Sequence, residues 1–197
     1  MPLHAPEPPR QVVDTVQSTF QAMIKTGSVR LPELRNPPGQ LALAQPHQIF
    51  SLGLADLAAG KGLEAAKSTG WRYLVQAGEN SLASAETAVT PAGSQHVFSA
   101  FNSGRLVAST VEAIRTAQGL PQVGQGSFEL RLLRVPALYF TALWMHSAQG
   151  TDDVLIPLDP SPGVVTGKPV PAAPLLQELA SKAKSIPAVG PTDRTGG

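Results

Sequence analysis

The chain has 197 residues, a formal net charge of +1 and no cysteine. This length suits one domain, and the missing cysteines exclude disulfides, thiolate catalysis, zinc fingers and iron–sulfur clusters. Charged residues make up 15% of the chain, against about 25% in a typical domain. A surface that repels itself so weakly favours a protein partner or a homo-oligomer. The basic residues are scattered without interleaved aromatics, so no nucleic-acid partner is expected.

No targeting or membrane segment is expected from the sequence. Its first residues lack the apolar stretch of a secretory signal. Arg131 and Arg134 interrupt the most apolar run, so no membrane span is expected. We expect a soluble, cytoplasmic protein, with export by a route that needs no such signal left open. The Ala-, Pro- and Gln-rich, Lys-poor composition is typical of GC-rich bacteria.

The first fifty residues predict one helix between two proline-rich segments. Residues 1–10 contain four prolines, which predicts a disordered arm. An amphipathic helix is predicted over residues 11–26, because apolar residues recur at every fourth position. These residues are Val12, Val16, Phe20 and Ile24. Residues 30–47 hold four more prolines and are predicted to form a long surface connection.

Short helices and then three strands are predicted over residues 49–101. Glycines at positions 53, 60 and 62 weaken the helical pattern of residues 49–67, which predicts one or two short helices. The alternation in residues 71–76 predicts a strand. Residues 85–90 and 96–101 predict two further strands.

A second helix is predicted to follow these strands. Asn102 or Ser103 is suited to capping its start, and Leu106 to Ala117 continue at helical spacing. Gly119 and Pro121 are predicted to end it.

The most apolar part of the chain predicts a group of strands. Residues 128–132 alternate as a half-buried strand, and a bulge or corner is predicted near residues 133–137. Residues 138–146 predict a buried strand, and residues 154–158 an antiparallel return. Residues 159–197 predict a Pro/Gly-rich tail with a short helix near 175–184.

The grouped strands predict an α+β domain over residues 11–158. Its antiparallel curved sheet is expected to have five to six strands, with the helices packed on one face. This order resembles the cystatin-like and NTF2-like arrangements, although no motif of either family is present in the chain.

No catalytic, phosphate-binding or metal-binding motif is present, so no catalytic residue, metal or cofactor is predicted. Five side chains on predicted strands are candidates for a ligand pocket in the curved sheet. They are Trp71, Tyr73, His96, Trp144 and His146. The alternative for the aromatic members is an ordinary role in the core.

His146 has a further candidate role. With Asp152 or Asp153 after the next turn, it can form a histidine–carboxylate pair for acid–base chemistry or half of a metal site. The alternative is a histidine that ends a strand at the solvent boundary, beside a polar turn.

Three arginines fall on predicted strands. Arg72, Arg131 and Arg134 are expected to be solvated charges that discourage edge pairing. The alternative is that they bind an anionic group.

Two hypotheses for the function follow. The leading one is a non-enzymatic protein-binding or assembly module, which a contiguous exposed apolar patch would favour. The other is a small-molecule-binding protein or an enzyme with an apolar pocket, which a concave pocket holding polar groups would favour.

Overall fold

The chain folds around a nine-stranded mixed sheet, as seen in a computed structural model that describes residues 3–28, 31, 34, 37–90, 92–93, 95–125, 127–148 and 153–186. Within these residues the helices are α1 (Arg10–Lys25), α2 (Leu54–Ala58), α3 (Arg105–Gln118), α4 (Pro121–Gln125) and α5 (Ala172–Ser185). The strands are β1 (Leu3–His4), β2 (Leu41–Ser51), β3 (Lys67–Ala77), β4 (Asn80–Val89), β5 (His96–Asn102), β6 (Phe128–Val135), β7 (Phe140–Ser147), β8 (Val154–Pro157) and β9 (Val170–Pro171). Short 3₁₀ turns cover Leu63–Ala65 and Pro136–Leu138. No described helix has both the length and the apolar character needed to cross a membrane.

The strand order is β5-β4-β3-β2-β6-β7-β8-β9, with β1 also paired to β6. The α+β class is confirmed, but the sheet is larger than predicted and it is mixed rather than antiparallel. The pairs β2–β6 and β1–β6 are parallel, because β6 returns to the sheet after the crossover through α3. The cystatin-like or NTF2-like arrangement stays a prediction.

Strand β2 accounts for much of the difference in sheet size. The prolines and Gly39 predict a loop here, yet Leu41–Ser51 pairs along β3. Its register shifts between Ala44 and His47, where Gln45 has a φ of 52°. A bulge at this point lets Pro46 sit in the strand without supplying a ladder hydrogen bond.

The sheet is covered on both faces, not on one as predicted. Trp71, Gln48, Arg131 and Trp144 are successive neighbours across four strands, so they share one face, which we call the cleft face. Helix α1 packs on this face over β4 and β5, in one apolar cluster with residues of β3, and α5 packs on it over β7. Helix α3 packs on the opposite face, against Leu74, Leu132 and Leu143 among others. Adjacent strand residues point to opposite sides, so a chain with apolar residues on both sides needs helices on both.

Both ends of the described chain are packed into the domain. The sequence predicts a disordered arm over residues 1–10, but Leu3 and His4 pair with Phe128 and Glu129 of β6. Strand β2 does not extend along that part of β6, so a two-residue strand can fill the space. Within the predicted tail, α5 contributes six buried residues; residues 187–197 lie outside the described residues. The domain boundaries stay predictions.

A cluster of charged groups is buried beneath α3. Glu86 Oε1 accepts hydrogen bonds from Arg72 Nε at 2.8 Å, Arg134 Nη2 at 2.8 Å and Asn102 Nδ2 at 2.9 Å. Arg72 Nη1 reaches Thr110 of α3 at 3.4 Å. Arg72 Nη2 lies 2.6 Å from Glu86 Oε1 but is misaligned for a hydrogen bond. Arg72 is 0% exposed, so the prediction of a solvated charge is wrong for this residue, because α3 covers it.

Asn102 joins this cluster instead of capping α3. Its side chain is committed to Glu86, and Gly104 holds the cap position with no side-chain hydrogen bond. The predicted capping by Asn102 or Ser103 is therefore not observed.

Candidate functional site

The β6–β7 hairpin sets the position of the polar residues on the cleft face. Pro136–Leu138 form a 3₁₀ turn that ends at Tyr139, whose φ of 51° lies in the left-handed region. The resulting register places Arg131 opposite Trp144 and Glu129 opposite His146. Residues directly opposite each other share a face, so these four side chains form one patch.

A cleft of about 1240 Å³ opens above this patch. Its floor carries Phe50, Arg131, Trp144 and His146. Residues 60–64 and Ala66 line one side, and α5 residues from Ala172 to Ala180 line the other. The volume exceeds that of a typical small-molecule pocket, so a ligand of that size fits without filling it.

Arg131 lies across the aromatic floor. Its guanidinium carbon is 4.8 Å from the Phe50 ring centre and 4.9 Å from the Trp144 ring centre. The two rings meet edge to face at 5.2 Å. A guanidinium on aromatic faces gains cation–π attraction and keeps its hydrogen-bonding edge free. Nε donates to Glu129 Oε1 at 2.6 Å, and the two terminal nitrogens have no acceptor among the described residues.

Asp153 fixes the orientation of His146. Its carboxylate accepts from Trp144 Nε1 at 2.7 Å, the Ser147 backbone N–H at 2.8 Å and His146 Nδ1 at 3.1 Å. A carboxylate accepts hydrogen bonds, so Nδ1 carries the proton and Nε2 of the neutral ring is left as an acceptor. The His146 side chain is 29% exposed and lines the cleft as well as an adjoining 260 Å³ cavity. Such an oriented imidazole can hydrogen-bond a ligand or exchange a proton with it.

The described residues of the cleft form no cluster of metal-binding side chains. Throughout the described ranges, no three histidine, aspartate or glutamate side chains group closely enough to hold a metal ion.

The structure divides the five predicted pocket residues among three places. Trp144 and His146 lie in the cleft, with their ring centres 5.4 Å apart. Trp71 and Tyr73 belong to the core cluster beneath α1, where burial raises the pKa of the Tyr73 hydroxyl. His96 begins β5 at the sheet edge, and burial lowers its pKa. The ligand-binding role of the set stays a prediction.

One of the two predicted histidine–carboxylate pairs is present in the structure. Asp153 lies beside His146, whereas Asp152 is outside the described residues. The pair forms because β8 runs back along β7, with Met145 opposite Val154.

Sequence reasoning missed Phe50, the aromatic contacts of Arg131 and the α5 wall. Phe50 falls within a segment predicted as weak helix, so its place in a strand was not visible. Arg131 was detectable in principle, because a defined turn at residues 136–139 sets Arg131 opposite Trp144. The α5 wall depends on a tertiary contact that no local pattern encodes.

A fold by itself does not define a function. Comparison of the chain with protein-family models, with curated proteins and with solved structures finds no match in any of the three.

Proposed function

We propose that this chain is a binding protein for a small organic ligand, and that the ligand occupies the cleft between α5 and residues 60–66. The observation that carries the proposal is the floor of the cleft. The Arg131 guanidinium lies within cation–π distance of two aromatic rings there, beside a histidine oriented by Asp153. A concave, partly apolar site with a few convergent polar groups is typical of ligand-binding proteins.

The protein-binding hypothesis has less support from the surface. Among the described residues, the exposed large hydrophobic side chains belong to four different elements or loops of the fold. They are Ile24, Val97, Tyr139 and Val165. Scattered single residues of this kind are normal on a protein surface. A protein or homo-oligomeric partner and a cytoplasmic location stay predictions.

A fragment screen tests the proposal. The readout is the fluorescence of Trp144 in a Trp71→Phe background, which leaves Trp144 as the remaining tryptophan. We expect at least one small organic acid, amine or neutral aromatic probe to change this fluorescence in a saturable way.

Two variants of α5 locate the binding. Gln177 lines the cleft, and its neighbour Glu178 is exposed but does not. Gln177→Phe narrows the cleft and is expected to weaken binding about tenfold, whereas Glu178→Phe leaves it within about twofold. A screen without a saturable probe, or binding that Gln177→Phe does not change, would reject the proposal.

The His146–Asp153 pair favours a second candidate function, an enzyme that moves a proton at its ligand. With Nδ1 held by Asp153, Nε2 can take a proton from water while the water oxygen adds to an ester carbonyl carbon. When the adduct collapses, the ester carbon–oxygen bond breaks, Nε2 returns the proton to the departing oxygen, and the alcohol or phenol leaves with the acid as the second product.

Hydrolysis of p-nitrophenyl acetate tests this candidate. We expect His146→Gln to slow p-nitrophenol release by about tenfold or more, with His96→Gln as a control that does not change it. Equal rates for the wild type and His146→Gln would rule out this activity.

A further inference from the structure

We infer that the ligand of the cleft is an organic anion whose carboxylate or phosphate group docks on the terminal nitrogens of Arg131. The inference rests on the proposed function, because it names the class of ligand that the cleft takes. It goes further in assigning one side chain as the anchor.

The geometry of Arg131 makes it suited to this role. Its Nε is occupied by Glu129 Oε1, while the flat guanidinium is held against Phe50 and Trp144. The side chain is 18% exposed, so it is held in place and still reachable. A guanidinium held in this way presents its two terminal nitrogens as a fork, which matches the two oxygens of a carboxylate or phosphate.

The two carboxylates that line the cleft already accept hydrogen bonds from the protein. Asp153 accepts from three protein donors, and Glu64 Oε1 accepts from the Gly62 backbone N–H at 2.8 Å. The terminal nitrogens of Arg131 are donors without an acceptor among the described residues, so they offer a site for an anionic group. The negative charge of Glu129 lies beside the same guanidinium. It repels a bound anion and so weakens anion binding.

The body of the ligand meets an apolar surface. Leu63, Leu176 and Ala180 line the cleft above Trp144. An acid with an aromatic or branched aliphatic skeleton can therefore place its charge on Arg131 and its carbon atoms against these walls.

The test compares four probes that share a benzene ring and differ in charge. Binding of benzoate, phenyl phosphate, benzyl alcohol and benzylamine is followed by Trp144 fluorescence in the Trp71→Phe protein. We expect one or both anions to bind about tenfold more tightly than benzyl alcohol, and benzylamine to bind more weakly still. The ratio between benzoate and phenyl phosphate separates a carboxylate ligand from a phosphate ligand.

Opposite effects of two neighbouring variants then identify the anchor. Arg131→Gln should weaken binding of the preferred anion about tenfold and leave benzyl alcohol within about twofold, which also shows that the cleft is intact. Glu129→Gln removes the opposing charge and should strengthen anion binding about two- to fivefold. Arg115→Gln on the exposed side of α3 is the matched control and should change neither.

Two failures are distinguishable. If benzyl alcohol and benzylamine bind in the cleft as tightly as the anions, the anion assignment is wrong and the proposed function stands. If none of the four probes binds and the wider screen is also empty, both fail. If Arg131→Gln abolishes the binding of benzyl alcohol as well as that of the anion, Arg131 is not a specific anchor for the anionic group.

Discussion

At the scale of single residues, the charged side chains of Arg72 and Glu86 are buried on the face of the sheet opposite the cleft. Burial by itself would raise the pKa of Glu86, but the charges of Arg72 and Arg134 and their hydrogen bonds outweigh it and hold the pKa below its ordinary value. Burial lowers the pKa of Arg72, which Glu86 opposes, and an arginine still keeps its proton. Each group is therefore tolerated in the interior because its partner is present.

Removing the shared carboxylate should be costly. We expect Glu86→Gln to lower the free energy of unfolding by about 3 kcal/mol, because Arg72 is then buried without a counter-charge. Glu112→Gln, which breaks the exposed pair with Arg115, should change it by less than about 0.5 kcal/mol. Urea unfolding at pH 7 measures both. Similar losses in the two variants would show that the buried cluster is not stabilised by its carboxylate.

His47 makes stability depend on pH. Burial, together with the charge of Arg72, lowers its pKa from 6.5 to about 3. Its Nδ1 donates to the Gln45 carbonyl at 2.8 Å, and Nε2 is buried without a partner among the described residues. Below pH 6.5 the unfolded chain takes up a proton that the folded chain does not, so stability falls as the pH falls.

The size of this pH effect can be measured. Between pH 6.5 and 4.5, His47 alone should reduce the free energy of unfolding by about 2 to 3 kcal/mol. His47→Asn keeps a donor for Gln45 and should give a flatter profile over that range. Below pH 4.5 protonation of Glu86, whose pKa is depressed, should destabilise both proteins. Parallel profiles for wild type and His47→Asn would mean that His47 is not buried as a neutral ring.

At the scale of elements, α1 shows how a periodic pattern becomes a packed helix. Val12, Val16 and Phe20 are spaced by four residues and all are buried, because this spacing places them on one side of a helix. Phe20 also meets the Phe101 ring of β5 at 5.4 Å. The helix is therefore attached to the sheet mainly through its apolar side, with one further contact in which Thr15 Oγ1 donates to the His96 carbonyl at 3.5 Å.

Removing the Phe20 ring should lower the free energy of unfolding of the protein. Phe20→Ala is expected to cost about 3 to 4 kcal/mol, since it removes a buried ring and leaves a cavity. Gln17→Ala on the exposed side of α1 should stay within about 0.5 kcal/mol. Chemical unfolding of the two variants compares them. A loss below about 1 kcal/mol for Phe20→Ala would indicate that α1 is not packed on the sheet.

At the scale of the whole molecule, β2 joins two groups of strands. It pairs with β3 on one side and with β6 on the other. Helix α3 packs beneath both groups, contacting Leu74 of β3 and Leu143 of β7. Because these elements share one core, neither half of the sheet is expected to unfold by itself.

The two tryptophans can report this coupling. Trp71 lies beneath α1 and Trp144 beside α5. In Trp144→Phe and in Trp71→Phe, the remaining fluorescence should change in the same urea range as the helical circular dichroism of that variant. A Trp71 transition that clearly precedes the loss of helix would show that the α1 half unfolds separately.

The parts of the fold that could be predicted are those whose structure depends on residues close together in the chain. Helices α1 and α3 follow from apolar residues at helical spacing, and the alternation of residues 128–132 identifies β6. Strand β2 was missed because its proline is accommodated by a bulge that depends on pairing with β3. Arg72 was placed on a solvated face because only α3, which arrives from elsewhere in the chain, makes that face buried.

The sequence by itself determined the α+β class, the main helices and the most apolar hairpin, because these depend on side-chain periodicity and turn residues close together in the chain. It also nominated Trp144 and His146 among five pocket candidates, and Asp152 or Asp153 as the carboxylate partner of His146. Only the tertiary structure decided that β2 lies beside β6, that Arg131 lies over the rings of Phe50 and Trp144, and that α5 forms the wall of the cleft. These contacts join residues far apart in the sequence, and their geometry depends on strand register and helix packing, which no local pattern specifies.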